Sequence, residues 1–256
     1  MFREMSAAVY HAHSAISKSG LDQIAKSPAH YYAWCTQKPE PTADMIFGTA
    51  LHAAVLEPKL FEKDFVKEPK VNKRTDAGKA EIAKFHELCK AEGKTVLDDD
   101  DFALIEKMRD LLLKHPYVRG LLDTSAIEQS MFWTDEKTGV ECKGRVDLLT
   151  DGLIVDLKST KDASLEVFKK SVVDFRYNVQ NAMYSRGAGT ILRKPHDFLF
   201  IAIEKVEPHP IVFYNLDAES IRHGAELLDR DLLVYARCKA NNSFLDVQTI
   251  SLPYWA

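Results

Sequence analysis

The chain has 256 residues, 46% hydrophobic and 28% charged, with a formal net charge of −4. That is enough apolar material for a large buried core, and it excludes a disordered chain. The slight acidity excludes nucleic-acid binding by bulk charge, so local basic patches would have to hold any phosphate partner. No run of about 18 apolar residues predicts a membrane span. The opening MFREMSAAVYHAHSAISKSG lacks the charged-then-apolar order of a signal peptide, and the expected location is cytoplasmic. Cys35, Cys89, Cys142 and Cys238 are widely spaced, which predicts reduced thiols and neither a zinc site nor a disulfide framework.

In chain order, Ser17 or Ser19 suits the N-cap of a helix over Lys18 to Trp34, with Leu21, Ile24 and Ala25 on its apolar face and Pro28 ending or bending it. Met45 to Leu56 predicts a second helix. Thr75 to Lys90 and Asp98 to Leu113 predict a third and a fourth, with Thr75 as a cap. The acidic run Asp98 to Asp101 looks like a metal site on paper, yet acids opening a helix are accounted for by capping and the macrodipole. Two segments are locally basic, Lys67 to Lys84 and Lys158 to Lys170, and such runs are usually solvated faces.

The middle of the chain changes character. IEQSMFW, VECKGRVDLLT and LIVDLKS are short β-type runs, the last two joined at Asp151-Gly152, a hairpin signal. Ser164 to Lys170 and Tyr177 to Ile191 predict helices, Phe198 to Glu204 and Pro210 to Asn215 strands, and Ala218 to Cys238 a long closing helix. The expected fold class is α/β, with a central mixed sheet flanked by helices. The simplest partition is one domain over residues 1–256, mainly helical over 1–120 and sheet-containing over 121–256.

If Asp151-Gly152 is a two-residue turn, Asp147 lies opposite Asp156 and Arg145 opposite Lys158. Alternation then puts Arg145 and Asp147 on one face, and Asp156 with Lys158 likewise. Opposed carboxylates repel unless a cation sits between them. Leu153, Ile154, Val155 and Leu157 make the second strand nearly all apolar, the mark of burial on both faces, so Asp156 and Lys158 need a partner or a task there. The bland alternative is an Asp–Lys salt bridge at a sheet edge. Two carboxylates and a lysine match what phosphodiester hydrolysis requires: an activated water and charge neutralisation. Hard oxygens, including the Leu157 backbone carbonyl, suit Mg²⁺, with Mn²⁺ as a substitute, and not zinc. His52 in FGTALH, and Gln180 with Tyr184 four residues apart on one helical face, could complete the site or could equally be packing residues.

The order Gly48-x-x-x-His52, Gly144-Arg145-Val146-Asp147, Asp156-Leu157-Lys158 and Gln180-x-x-x-Tyr184 resembles the RecB-type branch of the PD-(D/E)xK nucleases. The segments ISKSGLDQIAKSPAHYYAW, FGTALHAAVLEP, NKRTDAGKAE, YNVQNAMYS and SLPYWA are similar to the RecE (exonuclease VIII) family nearly end to end. Val146 departs from that pattern, which tends to have proline there. The resemblance implies a restriction-endonuclease-like core, with Asp147 and Asp156 as metal carboxylates, Lys158 as the catalytic lysine and His52 as a further metal ligand. It implies a 5′→3′ exodeoxyribonuclease that leaves 3′ single strands on linear duplex DNA, a ring-shaped trimer or tetramer, and a single-strand annealing recombinase as partner. A more distant likeness to lambda exonuclease implies that Ser17 or Ser19, Arg145 and Gln180, with Tyr184 nearby, hold DNA or its 5′ phosphate. A serine-capped helix start suits an anion. The alternatives are a single-strand or structure-specific RecB-type nuclease and a catalytically silent DNA-binding subunit. Iron–sulfur relatives are disfavoured by the cysteine spacing.

Overall fold

A computed structural model of the chain describes residues 2–3, 5–37, 39–245 and 251–252. The N-terminal half holds β1 (Phe2–Arg3), α1 (Ala7–Ala12), α2 (Lys18–Lys26), α3 (Pro28–Thr36), α4 (Ala43–Leu56), α5 (Pro58–Asp64), β2 (Phe65–Lys67), α6 (Asp76–Ala91), β3 (Thr95–Leu97), α7 (Asp99–Lys114) and α8 (Pro116–Thr124). There follow β4 (Ala126–Thr134), β5 (Glu141–Leu149), β6 (Leu153–Thr160), α9 (Leu165–Asp174), α10 (Tyr177–Leu192), β7 (Asp197–Glu204), β8 (Ile211–Tyr214) and α11 (Ala218–Ala240). Residues 253–256, within SLPYWA, lie outside the described residues.

The helix starts are written in the sequence. Side chains of Ser6, Ser17, Ser27, Thr42, Thr75, Asp98 and Asp217 each accept a backbone N–H in the first turn of their helix. Pro28, Pro58 and Pro116 open α3, α5 and α8, where the missing N–H costs nothing. Asp98 caps α7 by accepting from the Asp101 amide at 2.7 Å, which is the capping role expected of the acidic run. Pro28 separates two helices where one bent helix was the alternative, because the Ser27 backbone is extended and its hydroxyl caps α3.

The main sheet has six strands in the order β1-β4-β5-β6-β7-β8. It is mixed: β6 and β7 run parallel through the α9–α10 crossover, and the other neighbours are antiparallel. A separate parallel pair joins β2 to β3. One face of the sheet packs under α2, α9, α10 and α11 around Met183, Phe200 and Leu228. The other packs under α4, α5, α7 and α8 around Leu51, Ile105 and Leu112. β6 lies between these layers, Ile154 in one and Val155 and Leu157 in the other, which accounts for its unbroken apolar run.

Two local breaks interrupt the regular sheet around β5. The β5–β6 ladder contains only Leu148↔Val155 and Leu149↔Ile154. That is the register the turn predicts, but it stops before Asp147 and Asp156 become a ladder pair. Farther along, β5 bonds a different chain segment: Ile16 N–H donates to Glu141 O at 2.9 Å and Lys143 N–H to Ile16 O at 2.8 Å. The strands therefore fork, and the lead-in to α2 occupies the β5 side of the opening. On the other side of β5, the β4 ladder skips Glu128 and Asp147, and Glu128 takes a left-handed backbone with φ of 52°. Val146 packs with the α10 layer and Leu148 with the α4 layer, so the alternation expected of a regular strand fails at this point.

Candidate active site

The fork gathers the candidate residues. Leu157 N–H, which a continuous ladder would direct at a β5 carbonyl, donates instead to Asp147 Oδ2 at 2.7 Å. His52, on α4, donates through Nε2 to the Leu157 carbonyl at 2.7 Å, and its Nδ1 lies 3.5 Å from Asp147 Oδ2. From the opposite layer, Gln180 on α10 donates to Asp156 Oδ1, while its carbonyl oxygen accepts from Lys158 Nζ at 3.2 Å. Lys158 Nζ is 2.5 Å from Asp156 Oδ2, which is buried without an aligned hydrogen-bond donor. Asp147, Asp156, Lys158, His52, the Leu157 carbonyl and Gln180 thus converge, but from both layers onto the gap between two strands, not from one face of a hairpin.

Arg145 is not opposite Lys158. It reaches Glu128 and lies 3.6 Å from Glu57, and it donates to the Met5 carbonyl at 3.1 Å. Glu128 is the residue that sequence reasoning misses: one ligand atom each from His52, Glu128 and Asp147 lie within 4.8 Å of one another. Nothing local marks Glu128, because it joins the group only through the β4–β5 register and its left-handed backbone. Tyr184 sits a turn beyond Gln180 with its ring against Gly144, where an added Cβ would be 3.0 Å from the ring. The glycine of the Gly144-Arg145-Val146-Asp147 run is therefore a seat for α10, and Tyr184 is its packing partner.

Ser17 spends its hydroxyl capping α2, accepting from Gly20 N–H at 3.2 Å, and Ser19 is exposed in the first turn. Lys18, between them, pairs with Asp22 at 2.7 Å and donates to the Phe175 carbonyl. Burial pulls its pKa down against the pull of Asp22, and the charge of Lys158 helps to lower it, so α2 opens within electrostatic reach of the fork. The basic run Lys67 to Lys84 is largely matched: Lys67 and Lys70 pair with Asp99, and Lys73 with Glu68.

The electrostatics favour a cation. Burial raises the Glu128 pKa, and the Asp147 charge raises it further against Arg145, to about 7. Burial and Asp147 likewise hold Asp156 above its ordinary value despite Lys158. Burial would lower His52, but Asp147 and then Asp156 lift it to about 9. Lys158 is also pulled down by burial, yet Asp156, Tyr177 and Asp147 place it above its ordinary value, so it stays an ammonium. Burial would raise Asp147 as well, but His52 and Lys158 hold it below its ordinary value, so Glu128 and Asp156 are the carboxylates that a further positive ion would relieve. Oxygen donors from Asp147, Asp156, Glu128 and the Leu157 carbonyl, with one imidazole, fit a hard divalent metal such as Mg²⁺ or Mn²⁺.

A family model described as a PDDEXK-like domain of unknown function (DUF3799) matches residues 17–246. The chain belongs to that family. Among solved structures, a protein named "Putative exonuclease" from Eubacterium rectale is similar over 97% of both chains, with 14% identity and a TM-score of 0.65. A phage related exonuclease from Haemophilus somnus 129PT matches over 69% of this chain and 91% of its own, with 14% identity and a TM-score of 0.34. No curated protein sequence matches. The first likeness shows a shared fold, and membership of the PD-(D/E)xK-like family bears out the restriction-endonuclease-like core that the residue order implied. No helix among the described residues is long and apolar enough to cross a membrane.

Proposed function

We propose that this protein is a divalent-metal-dependent exodeoxyribonuclease that degrades one strand of linear duplex DNA from its 5′ end and leaves a 3′ single strand. The observation that carries the reading is the fork: Asp147, Asp156, Lys158 and His52 meet where two strands part in a PD-(D/E)xK-like domain. Carboxylates buried between two apolar layers, as Asp147 and Asp156 are, are costly unless they have a task.

When bound, Mg²⁺ would lower the pKa of an attacking water and offset charge on the phosphate. Asp147, Asp156, Glu128, His52 and the Leu157 carbonyl are the groups available to hold it. Asp147 is aimed by the Leu157 amide, and His52 is fixed by the Leu157 carbonyl, so one residue's backbone positions both. Lys158 works as a cation and not as a base: clamped by Asp156 and Gln180, its ammonium can donate to the water or to a phosphate oxygen and steady the negative charge that develops there. Gln180 orients both members of that pair, a positioning role.

The direction of attack and the substrate rest on the RecE-like residue order, as do a ring-shaped oligomer, an annealing recombinase partner and a cytoplasmic location. The opening of α2 beside the fork suits a terminal 5′ phosphate, with Lys18 the nearest cation on that helix. End-labelled linear duplexes, closed circles and single strands, each with and without Mg²⁺, test the reading. Label should leave first from a phosphorylated 5′ terminus, and closed circles should survive. Removing the 5′ phosphate should slow initiation roughly tenfold to a hundredfold, the worth of one charge-assisted contact. Release from the 3′ terminus first, or rapid cutting of circles or single strands, would replace this reading with a structure-specific nuclease. No cutting at all would leave a silent DNA-binding subunit.

A further inference from the structure

Phe175 is an aromatic ring held out in solvent beside the fork, 58% exposed, at a place where the chain is firmly built. It ends α9. The next residue, Arg176, has a left-handed backbone with φ of 53°, a conformation that side-chain-bearing residues adopt at a cost. That kink is stapled: Arg176 donates to Asp22 at 3.1 Å and to the fully buried Asp231, and Lys18 donates to the Phe175 carbonyl itself. Two elements, α2 and α11, thus fix the backbone that presents the ring. The ring does not turn inward to the core. It stacks on Tyr177, with centroids 5.6 Å apart and planes 25° apart, and Tyr177 in turn lies under Lys158, whose Nζ is 4.6 Å from the ring centre. Lys158 is the candidate catalytic ammonium.

We propose that Phe175 is a stacking platform for an unpaired nucleobase of the strand whose backbone enters the fork, a reading that rests on the nuclease function proposed above. Two observations point to a base as the occupant. Phe175 is 58% exposed while its ring stacks on Tyr177, so it offers an accessible, flat aromatic surface, as base stacking requires. It is continuous with the site through Tyr177 and Lys158, a span that a strand covers in about one to three nucleotides. Lys18, Arg176 and Lys158 near the ring are each matched by Asp22, Asp231 or Asp156, so recognition there would rest on stacking. Both faces of a base inside duplex DNA are covered, whereas a paired terminal base has one face open, so stacking of any nucleotide past the first would require the end of the duplex to have opened, without preference for sequence.

The test uses the full-length protein with Ca²⁺ in place of Mg²⁺, to bind DNA without cutting. A fluorescent adenine analogue is walked through the first positions from the 5′ end of a linear duplex, and the protein carries Phe175, Phe175→Trp or Phe175→Ala. Since Phe175 is exposed, all three should fold, which circular dichroism checks. The expected result is quenching at one position, retained in Phe175→Trp and lost in Phe175→Ala, with affinity for a frayed or overhanging end reduced about 5- to 100-fold. Equal quenching in Phe175→Ala would overturn the platform, whatever the digestion assay shows. A Phe175→Ala protein that binds DNA normally but sediments as a smaller species would also overturn it, making the ring a contact between copies. Wild-type protein that quenches through Phe175 yet never digests DNA in Mg²⁺ would keep the platform and remove the nuclease reading, so the two fail separately.

Discussion

At the scale of single residues, the backbone of Leu157 and the side chain of Gln180 organise the fork. The Leu157 amide and carbonyl fix Asp147 and His52, and Gln180 bridges Asp156 and Lys158. His52 and Glu128 should then be separable from the fold. His52→Ala should weaken metal use more than stability, with activity partly returning at high Mn²⁺, whereas a packed core histidine would lose thermal stability and keep its metal dependence. Glu128→Gln keeps the volume and removes one negative charge. If Glu128 contributes to the cation site, Mn²⁺ binding followed by calorimetry should weaken about 10- to 100-fold. Unchanged Mn²⁺ affinity would confine Glu128 to its pairing with Arg145.

At the scale of elements, α10 is set by two glycines that allow close approach. A Cβ on Gly224 of α11 would overlap the Asn178 carbonyl, a backbone group that cannot yield, and one on Gly187 would stand 2.8 Å from the Trp133 ring. Gly224→Ala should therefore push α11 from α10, costing about 1–3 kcal/mol and lowering Tm by roughly 3–10 °C. Because α10 carries Gln180, digestion should fall as well; a Tm within about a degree of wild type would contradict the packing argument. Most of these elements are readable from the sequence because their starts carry capping side chains and their apolar spacing is regular, as with Thr75 and Asp98. The short ones are not. Helix α8 follows Pro116 directly after α7, and β1 gains its place only by pairing Phe2 with Met131, far along the chain.

At the scale of the whole molecule, the α/β core is legible in capped helices and apolar runs, and the nearness of Asp147 to Asp156 and Lys158 because one turn dipeptide sets the register of both strands as far as Leu148 and Val155. What lies beyond the sequence is set by distant parts. The fork depends on Ile16 docking against β5, Glu128 on a skipped rung between β4 and β5, and the Phe175 perch on Asp22 and Asp231 from separate helices. The central claim is that the fork hydrolyses DNA with a bound divalent metal. Its most direct test is the initial rate of nucleotide release from linear duplex in Mg²⁺ by wild type and by Asp156→Ala, with native circular dichroism in both. Losing a group that supplies several kcal/mol in the transition state predicts a fall of roughly a thousandfold or more. A folded Asp156→Ala protein releasing nucleotides at near the wild-type rate would contradict it.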